Sequence, residues 1–398
     1  MKTLLLVIPN LGTGGAQNVF RDQYRFYSNH YKTIGVVFNW DGALPEDKQL
    51  GIVSLDVPGG GNWLSKGQNF FKRIRKLKAI KASNLITHSI SHLEGADYVN
   101  ILSGKKEKIF CWLHGTKKFD GEIRGALGWL RKKVMMPLLY RRSQMIAVSE
   151  GIRLEMITEL TIDPKQVRTI LNGFDLEAIN RLKNEPSQLP TGPILITHCR
   201  LAPQKNLSAL IRIFTILKHN RPVKLVIMGD GELRNELISQ ATSARLSVYS
   251  TWNNDVLHDS YDVYFVGRKS NPYSLLSKAT VYAMTSAWEG FPLSLGEAMA
   301  CGLPSVASDC FTGPREILAP GFSGPQPVDQ PHPTDFGILL PQADNEQHIK
   351  LWSQILAQLF DDATARKRYS DAAIGRMSDL DQKEISKKWL ALIDNGNE

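Results

Sequence analysis

The stretch Thr285 to Asp309, TSAWEGFPLSLGEAMACGLPSVASD, sets two carboxylates around the start of a short helix beside a glycine-containing turn. Gly290-Phe291-Pro292 reads as a tight turn. Leu293 to Cys301 reads as a helix stopped by Gly302 and Pro304, because glycine accepts the conformation past a helix end and proline cannot continue one. A helix N-terminus presents N–H groups with no intrahelical acceptor together with partial positive charge, which suits a phosphate. Glu289 lies just before that end and Glu297 about one turn inside it. That spacing suits two different hydroxyl-bearing parts of one anionic ligand, and a nucleotide sugar has that shape.

Outward from this stretch, strands and helices alternate twice over. Thr3 to Pro9, Thr33 to Asn39, Leu85 to Thr87, Lys108 to Leu113, Gln144 to Val148 and Val167 to Leu171 are strand candidates of a first series. Ile194 to His198, Val223 to Met228, Val263 to Val266, Thr280 to Thr285, Ser305 to Ala307 and Phe336 to Leu340 form a second. Their apolar runs are continuous rather than alternating, which predicts strands covered on both faces and hence parallel α/β sheets. The polar, proline-containing segment 181–193 between the series reads as a linker. The expected division is a first Rossmann-like domain over 1–180, a second over 194–377, and a C-terminal helix over 378–398 for which packing back on the first domain is one arrangement. Two such domains facing each other make a cleft at the carboxyl edges of their strands, where α/β sheets bind ligands. Five prolines between Ala319 and Pro333 predict an irregular loop.

Further loops carry chemistry-bearing residues. Gly14 and Gly15, in Pro9-Asn10-Leu11-Gly12-Thr13-Gly14-Gly15-Ala16-Gln17, follow the first strand, where a backbone without Cβ can approach a phosphate or sugar. Gln17 stands where a dinucleotide fingerprint has its third glycine, so that motif is not met, and a structural turn is the plain alternative. Arg200 and Lys205 flank a strand-to-helix loop from which both can reach one anion, a planar fork and a point charge suited to a diphosphate leaving group; two solvated cations are the alternative. His114 closes a strand of the first series and precedes Gly115. A lone histidine is often structural.

Pro9 to Gln17, Asn172-Gly173-Phe174-Asp175, Arg200 to Asn206, Met228-Gly229-Asp230-Gly231 and the two-glutamate stretch, in this order, resemble the signature of family-4 retaining glycosyltransferases, which have the GT-B fold. The resemblance covers most of the chain. It implies that Glu289 holds hydroxyls of the transferred sugar and Glu297 the ribose of the nucleotide. Main-chain N–H groups of Gly290, Phe291, Pro292 and Leu293 would contact the sugar or phosphate. Gly267 and Arg268 would contact the base through backbone, with a strand-end turn as the equal alternative. Arg200 and Lys205 would bind the diphosphate and stabilise its developing charge. Gly14 and Gly15 would lie on the acceptor side over the diphosphate, and His114 would face the donor sugar without acting as a general base.

The function so implied is retaining transfer of a hexose or N-acetylhexosamine from a nucleotide sugar, UDP-linked, to a glycan or lipid-linked acceptor. Thr312 to Leu318 looks most like members that build bacterial surface polysaccharide, lipopolysaccharide or lipid-linked oligosaccharide. No cofactor and no metal site is expected, since no His/Asp/Glu cluster has ligand spacing. The rivals are a noncatalytic nucleotide-sugar or anionic-lipid binding protein of the same fold and, more weakly, a GT-B phosphorylase using pyridoxal phosphate.

Length and composition fit such an enzyme. At 398 residues and 42% hydrophobic, the chain is long enough for two domains with separate cores. Cys111, Cys199, Cys301 and Cys310 show no paired ligand spacing and read as reduced structural residues of a cytoplasmic protein. Met1 to Ile8 reads as a first buried strand rather than a signal peptide, and no run reaches the ~18 apolar residues of a membrane span.

The net charge of +9 is local: Leu64 to Glu150 holds 18 Lys and Arg against 6 acids. Phe70, Ile74 and Leu77 fall on one helical stripe with basic residues between them, and Trp129 to Arg142 again mixes cations with large apolar side chains. Either this is a core-packed helix with a solvated basic face, or it docks on an anionic membrane at the inner face of the cell membrane. Nucleic acid is not expected as a partner, because no binding module accompanies the charge.

Overall fold

The computed structural model describes residues 2–12, 14–104, 106–118, 125–219, 221–253, 255–324 and 326–395. Thr13 of the first glycine loop and 119–124 of the basic stretch therefore lie outside the described residues. The chain divides into two compact units, Met1–Leu171 with Trp389–Glu398, and Asn172–Lys388.

In the first unit, β1 (Thr3–Ile8), β2 (Lys32–Val37), β3 (Val53–Ser54), β4 (His88–His92), β5 (Lys108–Leu113), β6 (Gln144–Ala147) and β7 (Val167–Thr169) form one sheet. Its order is β3-β2-β1-β4-β5-β6-β7, and its pairings are parallel. The order reverses between β1 and β4, so the loops leaving these strands diverge to opposite faces and open a crevice at their carboxyl ends. The helix Trp63–Ser83 buries Leu77 against Leu5, Val7, Val36 and Phe38, with Phe70 and Ile74 alongside. That is the expected stripe.

The strand expected at Leu85–Thr87 lies instead at His88–His92. This pentapeptide, HSISH, is wholly buried though four of its five side chains are polar. Three of the four are paired, while Ser89 Oγ is buried with no partner among the described residues. Ser91 Oγ donates to Asp97 Oδ1 at 2.7 Å, His88 Nδ1 lies 2.9 Å from Thr87 Oγ1, and His92 Nδ1 lies 3.0 Å from His114 Nε2. Buried polar groups are tolerated where paired, and no apolar pattern announces such a strand.

In the second unit, β8 (Ile194–His198), β9 (Lys224–Met228), β10 (Val248–Ser250), β11 (Val263–Gly267), β12 (Val281–Met284), β13 (Ser305–Ser308), β14 (His332–Pro333) and β15 (Ile338–Leu340) run in the order β10-β11-β9-β8-β12-β13-β15-β14. Pairing is parallel except β14 with β15. Alternate residues Leu225 and Ile227, Val263 and Phe265, Val281 and Ala283 share one core with Leu210 and Phe214 of the helix Leu207–Lys218 and Trp352 and Leu356 of the helix Glu346–Asp361. Here the order reverses between β8 and β12.

The division between units falls at Asn172, ahead of the expected 181–193 linker. Phe174 N donates to Leu380 O at 2.9 Å, Gln382 N donates to Phe174 O at 2.8 Å, and the helix Leu176–Leu182 follows, so the segment already packs in the second unit. Residues 183–193 carry no helix or strand. The last helix runs over Gln382–Asn395 rather than from 378. Its later turns group with the first unit, where the Trp389 ring lies 4.5 Å from Trp112 and Lys2 Nζ donates to Ile393 O at 3.0 Å.

Candidate functional site

In the second unit, the loops leaving β8 and β12 meet at the reversal of strand order. Thr285 follows β12, and its hydroxyl is shared between Lys205 O and Asn206 O, at 3.1 Å each. Ala287 N donates to Gln204 O at 2.8 Å, and Gln204 Nε2 donates to Trp288 O at 2.7 Å. These bonds bring Lys205 to Glu289: Nζ donates to Oε1 at 2.6 Å, with the carboxylate buried. Burial disfavours the Lys205 ammonium, but Glu289, with Cys199 and Cys310 nearby, outweighs it and the pKa is raised. The Thr312 hydroxyl donates to Glu289 O, fixing the backbone beneath the carboxylate.

The helix after the turn spans Leu293–Ala300, with Pro292 as an N-cap that has no side-chain cap. Its first internal bond is from Leu295 N to Pro292 O, leaving the N–H groups of Leu293 and Ser294 at the open end with no intrahelical acceptor. Gly290 and Phe291 add N–H groups before it, whereas Pro292 has none and drops out of the expected set. Glu297 lies on this helix with Tyr273 Oη 3.5 Å from its Oε1 and His198 Nδ1 3.4 Å from its Oε2. The order of residues does not single out His198, which closes β8, because a strand-end histidine has no local signature. Gln204, Thr285 and Thr312 lie inside quoted motifs, yet their bonding roles appear only in three dimensions.

Arg200 and Lys205 are placed differently. The Arg200 side chain is 67% exposed with Glu232 at 3.8 Å, so it does not share the buried position of Lys205. Gly267 has φ 69° at a shift in the β11–β9 register, and its carbonyl accepts from Gly229 N at 2.9 Å; Arg268 is exposed. Gly229 itself has φ 138°, and a Cβ there would fall 1.8 Å from Cys199 O, so only glycine lets the β9 loop lie on the β8 loop. The Asn172–Asp175 motif is a packing device. The Phe174 ring lies under Gly296, where a Cβ would come within 2.2 Å of it, and Asp175 caps the next helix through Ala178 N at 2.9 Å.

In the first unit the loop after β1 is held by an unanticipated residue. Arg21 Nη2 donates to Leu11 O at 2.6 Å while its Nε donates to Asp47 Oδ1 at 2.7 Å, both side chains buried. Gly14 is the N-cap of the helix Gly15–Ser28 and provides no side-chain cap. His114 follows β5, half-buried beside His92, and burial pushes its pKa down to about 3. It is a neutral imidazole.

Among the described residues no group of three or more His, Cys, Asp or Glu side chains is arranged to hold a metal ion. Nor is any helix long and apolar enough to cross a membrane.

Comparison with known proteins bears on the same elements. The family models Glycosyltransferase Family 4 and Glycosyl transferases group 1 match residues 13–178 and 179–330. The chain is 31% identical to the amylovoran biosynthesis glycosyltransferase AmsD of Erwinia amylovora over 99% of both chains. It is 29% identical to the N-acetylgalactosamine-N,N'-diacetylbacillosaminyl-diphospho-undecaprenol 4-alpha-N-acetylgalactosaminyltransferase of Campylobacter jejuni, over 99% of this chain and 100% of that one. A solved structure of Anabaena HepE in complex with UDP and glucose matches with TM-score 0.73 and 17% identity, covering 99% of this chain and 100% of that chain, which shows the fold. Two parallel-dominated α/β sheets, the loops that meet at the strand-order reversal of the second and these matches agree: the chain belongs to the family-4 glycosyltransferases and has the GT-B fold.

Proposed function

We propose that this glycosyltransferase moves a hexose or N-acetylhexosamine, with retention, from a UDP-linked donor to a glycan or lipid-linked acceptor in bacterial surface polysaccharide, lipopolysaccharide or lipid-linked oligosaccharide synthesis. The observation that carries this reading is the Lys205–Glu289 contact of 2.6 Å beside the uncapped start of the helix Leu293–Ala300. It sets a cation, free N–H groups and a carboxylate within one loop system. Glu289 binds hydroxyls of the transferred sugar, Glu297 the ribose, and Lys205, joined by Arg200 from its exposed position, the diphosphate. Gly14 and Gly15 offer N–H groups to the diphosphate, Gly267 and Arg268 contact the base, and His114 donates a hydrogen bond to the donor sugar.

In the transfer, the bond from the anomeric carbon to the phosphate oxygen breaks with its electron pair passing to the diphosphate. The acceptor hydroxyl oxygen bonds the same face of that carbon, and its proton passes to the departing phosphate oxygen. The protein contributes positioning and positive charge rather than a base. No resident cofactor or metal enters this scheme. The relatives' printed activities on diphospho-undecaprenol and lipopolysaccharide substrates support the acceptor class.

The basic face of the helix Trp63–Ser83 supports an anionic membrane surface, at the inner face of the cell membrane, as partner. Trp63 and Phe71 are exposed there beside exposed Lys66, Lys72, Arg75 and Lys78. A thermal-shift screen across nucleotide sugars, followed by transfer to a lipid-linked acceptor, tests the reading. A shift with UDP-sugars and product with the anomeric configuration of the donor is expected. Binding without either transfer or donor hydrolysis would favour the noncatalytic alternative.

A further inference from the structure

His92 closes β4 and is 0% exposed. In the parallel register it stands opposite Trp112, and His114 is two residues further along that chain, so the three rings lie on one face of the sheet. The His92 ring centroid is 5.2 Å from that of Trp112, 5.1 Å from that of His114 and 5.3 Å from that of Phe20. Its polar contact is with the other imidazole, Nδ1 to His114 Nε2 at 3.0 Å. Its Nε2 is buried with no hydrogen-bond partner among the described residues.

We propose that His92 is a positioning residue that donates from Nδ1–H to Nε2 of His114 and so fixes His114 as the tautomer with its own proton on Nδ1. Burial keeps both rings neutral, His92 well below an ordinary imidazole. One proton therefore lies between the two nitrogens, and it has two possible owners. If His114 owned it, the proton of His92 would sit on Nε2, an N–H enclosed by aromatic rings with no acceptor. Orphaned buried N–H groups are rare because they forfeit a hydrogen bond to water and gain none. If His92 owns it, the atom left without a partner is a bare ring nitrogen and no donor is orphaned. His114 Nε2 is then occupied as an acceptor, and Nδ1–H, which bonds no described residue, is its remaining polar group. A histidine held this way can donate to a sugar hydroxyl or phosphate oxygen and cannot take an acceptor's proton at Nε2.

The inference rests on the role proposed for His114, and its test separates the two. In the full-length protein labelled with 15N, two-bond proton–nitrogen spectra report which ring nitrogen carries the proton, with His114→Gln and His92→Gln for assignment. Nδ1–H forms of both residues are expected at about neutral pH. His92→Phe keeps a planar ring but removes the donor. It should spread His114 over both tautomers and lower kcat by roughly tenfold with donor KM little changed. His92→Asn, whose side-chain amide places an N–H where Nδ1–H stood, should restore most of the rate. An Nε2–H form of His114 in the wild type overturns the proposal, as does a His92→Phe variant that melts like wild type and retains its kcat and tautomer. If His92→Phe fails to fold, the wild-type tautomer and the His92→Asn rate decide. Wild type that transfers from no nucleotide sugar would defeat the proposed function, while its spectra would still decide the tautomer.

Discussion

The Lys205 ammonium lies 2.6 Å from Glu289 Oε1, joining the loop after β8 to the loop after β12 where the order of the second sheet reverses. The pair brings opposite charges together in a partly buried place, and each partner is proposed to meet a different part of the donor. Glu289→Ala is expected to abolish transfer with nucleotide affinity largely kept, and Glu297→Ala to weaken nucleotide binding. Calorimetry with UDP and with the UDP-sugar measures both, and equal loss of UDP affinity in the two variants contradicts the division of roles. Lys205→Met, which leaves a buried carboxylate unpaired, should also cost about 3 kcal/mol of stability.

Gly296→Ala should destabilise the second unit. A Cβ at this position would sit 2.2 Å from Phe174 Cζ, and the ring is 4% exposed with little room to withdraw. Overpacking of this kind costs about 1–3 kcal/mol, read as a fall in the denaturation midpoint. Pairing it with Phe174→Leu should recover part of the loss.

Half-buried His114 and buried Asp97 give stability opposite dependences on pH. His114 titrates at about 3 in the fold, below an exposed imidazole, so the unfolded chain takes up the proton first. Its contribution is lost as pH falls from about 6.5 toward 3. Asp97, fully enclosed and accepting from Ser91 at 2.7 Å and Tyr140 at 3.1 Å, is raised by burial to about 7. Its contribution is complete at acid pH, below the unfolded carboxyl value, and is lost as pH rises through about 7. Asp97→Asn should flatten the alkaline side of a stability profile from chemical denaturation. The transfer rate should show no limb assignable to His114 between about pH 5 and 8, as measured by comparing wild type with His114→Gln.

Transfer is expected to survive chelation of divalent ions. Lys205 and the open helix start supply the positive charge that a metal would otherwise bring to a diphosphate. Loss of the rate in EDTA, restored by one metal, would defeat this.

The membrane prediction rests on the side chains that the fold leaves outside. Arg73 Nη2 donates to Pro58 O at 2.6 Å and its guanidinium lies 4.6 Å over Phe38. Lys76 donates to Leu55 O at 2.5 Å and Lys132 to Glu159 at 3.1 Å, so each of these three cations already has a partner within the unit. Lys72, Arg75 and Lys78 remain exposed near Trp63 and Phe71. At about 1 kcal/mol for each cation near an anionic surface, replacing these three by Glu should release the protein from anionic liposomes in flotation, with transfer to a short soluble acceptor retained. Wild type that does not float at low salt removes the membrane as partner.

Much of the architecture was legible in the order of residues. Continuous apolar runs such as Leu4 to Ile8 and Leu225 to Met228 announce parallel strands buried on both faces, because covered strands have no solvent side to mark. The glutamates, the glycine turn and the helix stop of Thr285 to Asp309 are close in sequence, so their relation to one helix end follows from local geometry. What depended on contacts between distant segments was not legible. The polar side chains His88, Ser91 and His92 find their partners in Thr87, Asp97 and His114, of which Asp97 and His114 lie on other elements. The tertiary structure parts Arg200 from the buried position of Lys205, turns Asn172–Asp175 into a packing device and assigns Arg73 and Lys76 to backbone carbonyls. Sequence periodicity records which face of an element is apolar. Which carbonyl, carboxylate or ring a polar side chain reaches is set by strand order and register, and these are properties of the folded sheets.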